Sequence, residues 1–203
     1  MIICSLNVRG LSNDKKRRET FLWLKKKQFS IYFLQEVHST KKSGIYWRSE
    51  CGYSTIFTEF SSSKAGVGIL FNNNFQFKIQ KCLTDPGGRF IIADIETEER
   101  TLTLVNIYAP NNDDPSFFRV VSEKMSSFEC DLIVFGGDFN LVCDIQKDKK
   151  AVLLQRTGNQ ERKCYPLKKN SSLLISGESI IRTLCALHGK GQTLKFNAAW
   201  IIF

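Results

Sequence analysis

The sequence predicts an α+β fold, with mainly antiparallel sheets and flanking helices that cover one face. Three observations carry this reading. Short apolar runs bounded by Gly, Pro, Asn or Asp recur between residues 2 and 140, as strands do. Residues 53–107 consist almost entirely of such runs with turn residues between them. Two stretches at helical spacing, Lys15–Lys27 and one beginning at Pro115, each separate one strand from the next. A chain of 203 residues can bury the core of one ordinary domain.

Taken in order, Ile2–Leu6 is a short apolar strand that ends at Asn7, and Gly10 breaks it. Ser12 or Asn13 can cap the helix that follows, in which Phe21, Leu22 and Leu24 stand against a basic remainder. Ile31–Leu34 is a second buried strand, closed by Gln35-Glu36. Val37–Gly44 reads as a loop, and Ile45–Ser49 is too short to assign. Tyr53–Phe60 and Gly66–Phe71 are strands, and Asn72-Asn73-Asn74 is a turn by composition. Phe75, Phe77 and Ile79 alternate with polar residues as in a half-buried strand. Asp85-Pro86-Gly87-Gly88 is a turn, and Arg89–Thr97 with Thr101–Ile107 predicts an antiparallel hairpin. Pro115 suits a first helical position. Behind it, Phe117, Phe118, Val121, Met125 and Phe128 make one apolar stripe that a sheet would cover.

Composition narrows the function classes. No run is long enough to span a membrane, and the N-terminus lacks the charged flank and long apolar core of a signal peptide. Seven cysteines without regular spacing or a CxxC pair argue against a disulfide framework or a zinc site. Cys4, Cys82, Cys130 and Cys143 adjoin apolar runs and read as buried thiols of an intracellular protein, nuclear or cytoplasmic. The net charge of +9 divides unevenly: residues 1–150 carry 21 basic and 18 acidic residues (+3), and residues 151–203 carry 8 and 2 (+6). Lys15–Arg18 and Lys25–Lys27 could touch phosphates or form solvated helix faces.

Leu132–Asn140 is the stretch richest in chemistry. Four consecutive apolar residues predict a strand buried on both faces, and Gly136-Gly137 permits a close approach of backbones. Asp138 and Asn140, two residues apart, would share a side in extended chain. Asn7, Glu36 and Tyr108 close other apolar strands in the same way. Gathered at one edge, these ends form a pocket of two carboxylates, two amides and a phenol. Glu36 could then hold a hard cation such as Mg²⁺ with Asn7 close by, since such a cation needs only one or two carboxylates with water and phosphate oxygens. Asp138 would position or activate water, and Asn140 and Tyr108 could donate to phosphate oxygens. Singly, Asn7 reads as a turn cap and Glu36 as a solvated strand end, and Tyr108 is equally a rim aromatic.

Asn7-Val8-Arg9-Gly10-Leu11, Leu34-Gln35-Glu36-Val37-His38, Asn106-Ile107-Tyr108-Ala109-Pro110 and Gly136-Gly137-Asp138-Phe139-Asn140 occur in this order. With Ala65–Ile69 and Gly88–Ile92, they resemble the endonuclease/exonuclease/phosphatase superfamily. More narrowly, they resemble the apurinic-type endonuclease domain of LINE-type (non-LTR) retrotransposons. The resemblance covers roughly residues 1–150. It implies an α/β sandwich, incomplete in this chain, that nicks DNA with Mg²⁺ (or Mn²⁺) and leaves a 3′-hydroxyl to prime reverse transcription. A complete copy would carry the reverse transcriptase in the same polyprotein. The motifs place Asn7 and Glu36 at the metal, Tyr108 and Asn140 on the phosphate and Asp138 on the water. A monomer with no membrane partner is expected.

The closing Ser-Asp-His motif of that family is not found. His188 stands in Ala186-Leu187-His188-Gly189 with no Asp before it, and the family tolerates other residues at His38. Residues 1–150 are thus expected to form a partial domain. Residues 151–203 are expected to be a basic, divergent tail, poorly ordered or partly helical, of a truncated or frame-disrupted copy. General acid–base catalysis contributes about 10²–10⁴-fold, so low or no activity follows. The alternatives are a catalytically dead remnant that binds nucleic acid, and a phosphoesterase acting on a lipid head group.

Overall fold

The computed structural model describes residues 1–111, 115–128, 132–140 and 199–200. The reading of the tail falls outside them except at 199–200, and those of Cys130 and Cys143 fall outside them entirely. The strands are β1 (Ile3–Asn7), β2 (Ile31–Gln35), β3 (Ser54–Phe57), β4 (Val67–Phe71), β5 (Lys78–Thr84), β6 (Phe90–Glu96), β7 (Thr101–Tyr108), β8 (Ile133–Asp138) and β9 (Ala199–Trp200). The helices are α1 (Asp14–Lys27), α2 (Lys41–Cys51) and α3 (Pro115–Met125).

They form two sheets, ordered β1-β2-β4-β3 and β5-β6-β7-β8-β9. Both are mixed. The β1–β2, β7–β8 and β8–β9 pairs are parallel; β2–β4, β3–β4, β5–β6 and β6–β7 are antiparallel. Ile3, Ile31, Phe33, Ile69 and Phe71 of the first sheet pack on Ile91, Ile95, Leu102, Leu104 and Val134 of the second. Phe21 and Leu24 of α1 and Trp47 and Cys51 of α2 cover the outer face of the first sheet. Phe117, Phe118 and Val121 of α3 cover the outer face of the second. The layers therefore run helix, sheet, sheet, helix, and helices cover two outer faces rather than the single face expected.

Local chemistry explains each boundary. The Asn13 side chain accepts from the Lys16 backbone N–H at 2.9 Å and caps α1, whose last turn carries Lys25, Lys26 and Lys27 at the negative end of the helix dipole. Helix α2 replaces the expected loop at 41–44 and absorbs the unassigned stretch after it. It starts on a capping box, in which Thr40 and Ser43 each satisfy the other's backbone N–H. The expected strand from Phe75 also shifts. Phe75 and Phe77 precede β5, and Phe77 stacks on Phe71 with ring centroids 4.0 Å apart. β5 itself is an exposed edge strand, and it carries Cys82 into solvent against the expectation of a buried thiol.

Two parallel pairs set up the site. Helix α1 returns the chain so that β1 and β2 run the same way, with Asn7 beside Gln35. Helix α3 does the same for β7 and β8, with Tyr108 beside Asp138. Each crossover delivers two strand ends to one edge of its sheet.

Candidate active site

The alternation of β-structure decides which residues line the site. Ile3 and Ile31 face the space between the sheets, so Ser5, Asn7 and Gln35, on the same side of their strands, face it too. Leu102, Leu104 and Val134 do the same for Asn106, Tyr108, Gly136 and Asp138. The apolar interior thus ends in a polar layer.

Asn7 joins that layer. Its Nδ2 donates to Glu36 Oε1 at 2.7 Å and to Asp138 Oδ2 at 2.8 Å, while its Oδ1 accepts from the Arg9 backbone N–H at 3.0 Å. The Tyr108 hydroxyl also donates to Glu36. Burial, the negative charge of Glu36 and this bond raise its pKa above the ordinary value of 10, Asp138 adds to them, and Arg89 opposes the rise. The Arg89 guanidinium lies over the Tyr108 ring, 4.9 Å from its centroid.

Backbone conformation aims two of these groups. Glu36 has φ +53°, so the chain turns sharply as β2 ends. The turn is held by hydrogen bonds from Gly10 N–H to the Glu36 carbonyl (2.6 Å) and from Val37 N–H to the Gly66 carbonyl (2.9 Å). Gly137 has φ +137°, and a Cβ there would stand 2.0 Å from the Ile107 carbonyl oxygen, so β8 lies against β7 at a distance only glycine allows.

Asn7, Glu36, Tyr108 and Asp138 are therefore brought together. Asn140 sits differently from the expectation that it shares a side with Asp138. It follows β8 with φ +47°, off the extended path, and its Nδ2 donates to the Ala109 carbonyl at 2.6 Å. Its backbone N–H donates to Asp138 Oδ1 at 3.2 Å, so it anchors the carboxylate from behind. The Lys15–Arg18 cluster is not a uniform basic face. Arg17 is 3% exposed and bonds to Glu50, Asp14 and the Leu11 carbonyl.

Gln35, Asn106 and Arg89 were missed as individual residues. The first two are 1% and 0% exposed, and they are bonded to each other across the sheets at 2.8 Å. Their signal was polar residues at core-facing positions of apolar runs, which reads in sequence as mere strand ends. His38 is half-buried with φ +57°. Burial lowers its pKa, Glu36 opposes that and Lys16 adds to it. His188 lies outside the described residues.

Among the described residues no three His, Cys, Asp or Glu side chains cluster as a metal cage. Glu36 and Asp138, facing one amide, still fit a cation that completes its shell with water and phosphate oxygens.

Comparison with known proteins agrees with the fold. A sequence model described as the Endonuclease/Exonuclease/phosphatase family matches residues 4–147. The Transposon TX1 uncharacterized 149 kDa protein of Xenopus laevis is 28% identical over 187 residues, which are 91% of this chain and 13% of that protein. Coverage of that extent takes in part of residues 151–203. Among solved structures, a conserved protein of unknown function from Enterococcus faecalis V583 superposes with a TM-score of 0.55 at 14% identity, over 74% of this chain and 72% of that one. Humanized D. rerio TDP2 gives 0.52 at 21% identity, over 70% and 67%. D. rerio TDP2 complexed with a single-strand DNA product gives 0.50 at 18% identity, over 74% and 63%. These similarities are of fold.

Proposed function

Because the chain belongs to the endonuclease/exonuclease/phosphatase family, we propose that it is a divalent-metal-dependent hydrolase of DNA phosphodiesters, the nicking domain of a retrotransposon. The observation that carries this reading is the single amide of Asn7 held between Glu36 and Asp138. It gathers carboxylates from both sheets at the open end of the core, where a phosphate can enter. The transposon relative supports DNA as the substrate and a longer polyprotein as the context, the chain spanning 13% of that protein's length; a reverse transcriptase in that polyprotein is what the family resemblance implies.

Glu36 would hold Mg²⁺ or Mn²⁺, with Asn7 beside it. The cation supplies positive charge against the phosphate oxygens as negative charge develops there. Asp138 orients the attacking water, its carboxylate fixed by Asn7 and by the Asn140 backbone N–H. The Tyr108 hydroxyl, beside Glu36, and the Asn140 side chain would donate to phosphate oxygens. Arg89, stacked on Tyr108, adds a fixed positive charge to the same edge. Hydrolysis in the direction the family resemblance implies breaks the P–O3′ bond and leaves a 3′-hydroxyl. The family's closing Ser-Asp-His motif is not found within residues 1–203, so the rate of this stretch of chain alone is expected to be low.

Incubation of the purified chain with supercoiled plasmid and Mg²⁺ tests this. The expected result is slow conversion to the open-circular form, abolished by Glu36→Ala and by Asp138→Ala. Binding that weakens steeply with salt and ignores both substitutions would instead mark a nucleic-acid binder that does not cleave. Release of phosphate from a lipid head group, without nicking, would move the substrate elsewhere in the family.

A further inference from the structure

Below the site, a second polar layer crosses between the sheets. Gln35 Nε2 donates to Asn106 Oδ1 at 2.8 Å and to Ser5 Oγ at 3.1 Å. Asn106 Nδ2 donates to the Leu34 carbonyl at 3.1 Å and the Gly68 carbonyl at 2.9 Å. One amide pair thus ties β1, β2 and β4 of the first sheet to β7 of the second. Both residues are buried. Gln35 immediately precedes Glu36, and Asn106 stands two residues before Tyr108 on the same face of β7.

We infer that Gln35 and Asn106 are positioning residues, which set the spacing of the two sheets so that Glu36 meets Tyr108 and Asp138. The inference rests on the proposed reading of Glu36 and Asp138 as the metal and water residues. Its physical basis is direction. Apolar contacts such as Phe33 and Ile69 on Leu104 hold the sheets together but allow sliding, since burial is non-directional. A hydrogen bond between two buried amides fixes both distance and angle, and losing it strands polar atoms in the core. Glu36 and Asn7 come from one sheet, Tyr108 and Asp138 from the other. Any slip between sheets therefore separates the two halves of the site.

A length swap tests it. Gln35→Asn shortens the cross-link by one methylene, Asn106→Gln lengthens it by one, and the double variant restores the total. Free Mn²⁺ measured by EPR gives metal affinity, and plasmid nicking gives kcat and KM. Each single variant is expected to weaken Mn²⁺ binding about 10–100-fold and to lower kcat about 10²-fold with KM for plasmid unchanged. The double variant should recover most of both. Single variants that keep a native near-UV spectrum and wild-type Mn²⁺ affinity would overturn the inference, as would a double variant no better than the singles combined. Should the single variants fail to fold, Ser5→Ala frees one Gln35 bond at little cost in volume and is expected to weaken Mn²⁺ binding in the same direction; unchanged affinity would count against the inference. A wild type that binds Mn²⁺ with the expected variant pattern but never nicks would sustain the positioning role and remove the cleavage reading. A wild type that binds no Mn²⁺ would remove both.

Discussion

Asn7 Nδ2 and Asp138 Oδ2, 131 positions apart in sequence, meet at 2.8 Å. The same nitrogen reaches Glu36 at 2.7 Å, so one neutral amide separates two carboxylates. Replacing it with a third carboxylate turns two attractions into repulsions. Asn7→Asp is expected to lower stability by about 1–2 kcal/mol at pH 7.5. Most of the loss should return on adding Mn²⁺ at pH 7.5, which neutralises the cluster. Thermal unfolding with and without the ion measures this. Equal stability of wild type and variant at pH 7.5 would mean that the carboxylates do not converge on Asn7.

Tyr108 makes a pH prediction of definite sign. Burial, and then Glu36, hold its phenol above the ordinary value of 10 in the folded chain. A group raised on folding contributes stability that is complete below the unfolded pKa and is lost as pH rises through the folded one. Wild type should therefore lose stability above about pH 10, and Tyr108→Phe should lose less over the same range. Tyr53 is raised as well, by burial and by Cys51, and is present in both chains. The difference between the two melting curves from pH 9 to 11.5 isolates Tyr108.

Gly137 tests how closely β8 must approach β7. An added Cβ would overlap the Ile107 carbonyl, and φ +137° is closed to other residues. Gly137→Ala is expected to cost more than about 3 kcal/mol, a loss of the kind seen when strain and overpacking coincide. It should also abolish nicking in whatever fraction stays folded, because Asp138 is the next residue. A urea midpoint within experimental error of wild type would contradict that geometry.

Much of this arrangement was legible in the chain. Apolar runs ending in Asn7, Glu36, Tyr108 and Asp138 marked the strand ends, because a buried strand announces itself by continuous apolar residues and its exit by a polar one. Helix α2 was not legible. Its start depends on reciprocal hydrogen bonds between Thr40 and Ser43, and its interior carries Gly44, which reads as a break. Gln35 and Asn106 were hidden for a different reason. Their partners lie 71 positions apart, and only the stacking of two sheets makes a buried amide pair of them. Asn140 was placed by the period of extended chain, and the left-handed turn after β8 moved it.

Arg17 separates stability from nucleic-acid contact within one basic cluster. Its side chain is 4% exposed, and it lies against Glu50 at 15% exposure. Burial opposes its charge, but the bonds and charges of Glu50 and Asp14 outweigh that and raise its pKa further. Its guanidinium also stands over the Tyr46 and Trp47 rings, 5.8 Å and 5.5 Å from their centroids. The residue thus clamps α1 to α2 and is shielded from any phosphate. Arg17→Ala leaves Glu50 without this partner and is expected to cost about 3 kcal/mol in urea unfolding. The salt dependence of DNA binding should not change. Exposed Lys15 should behave in the opposite way, with Lys15→Ala changing stability by less than about 0.5 kcal/mol and flattening the salt slope by about one if that face tracks the backbone. A stable Arg17→Ala chain with a flattened slope would put the guanidinium on the DNA.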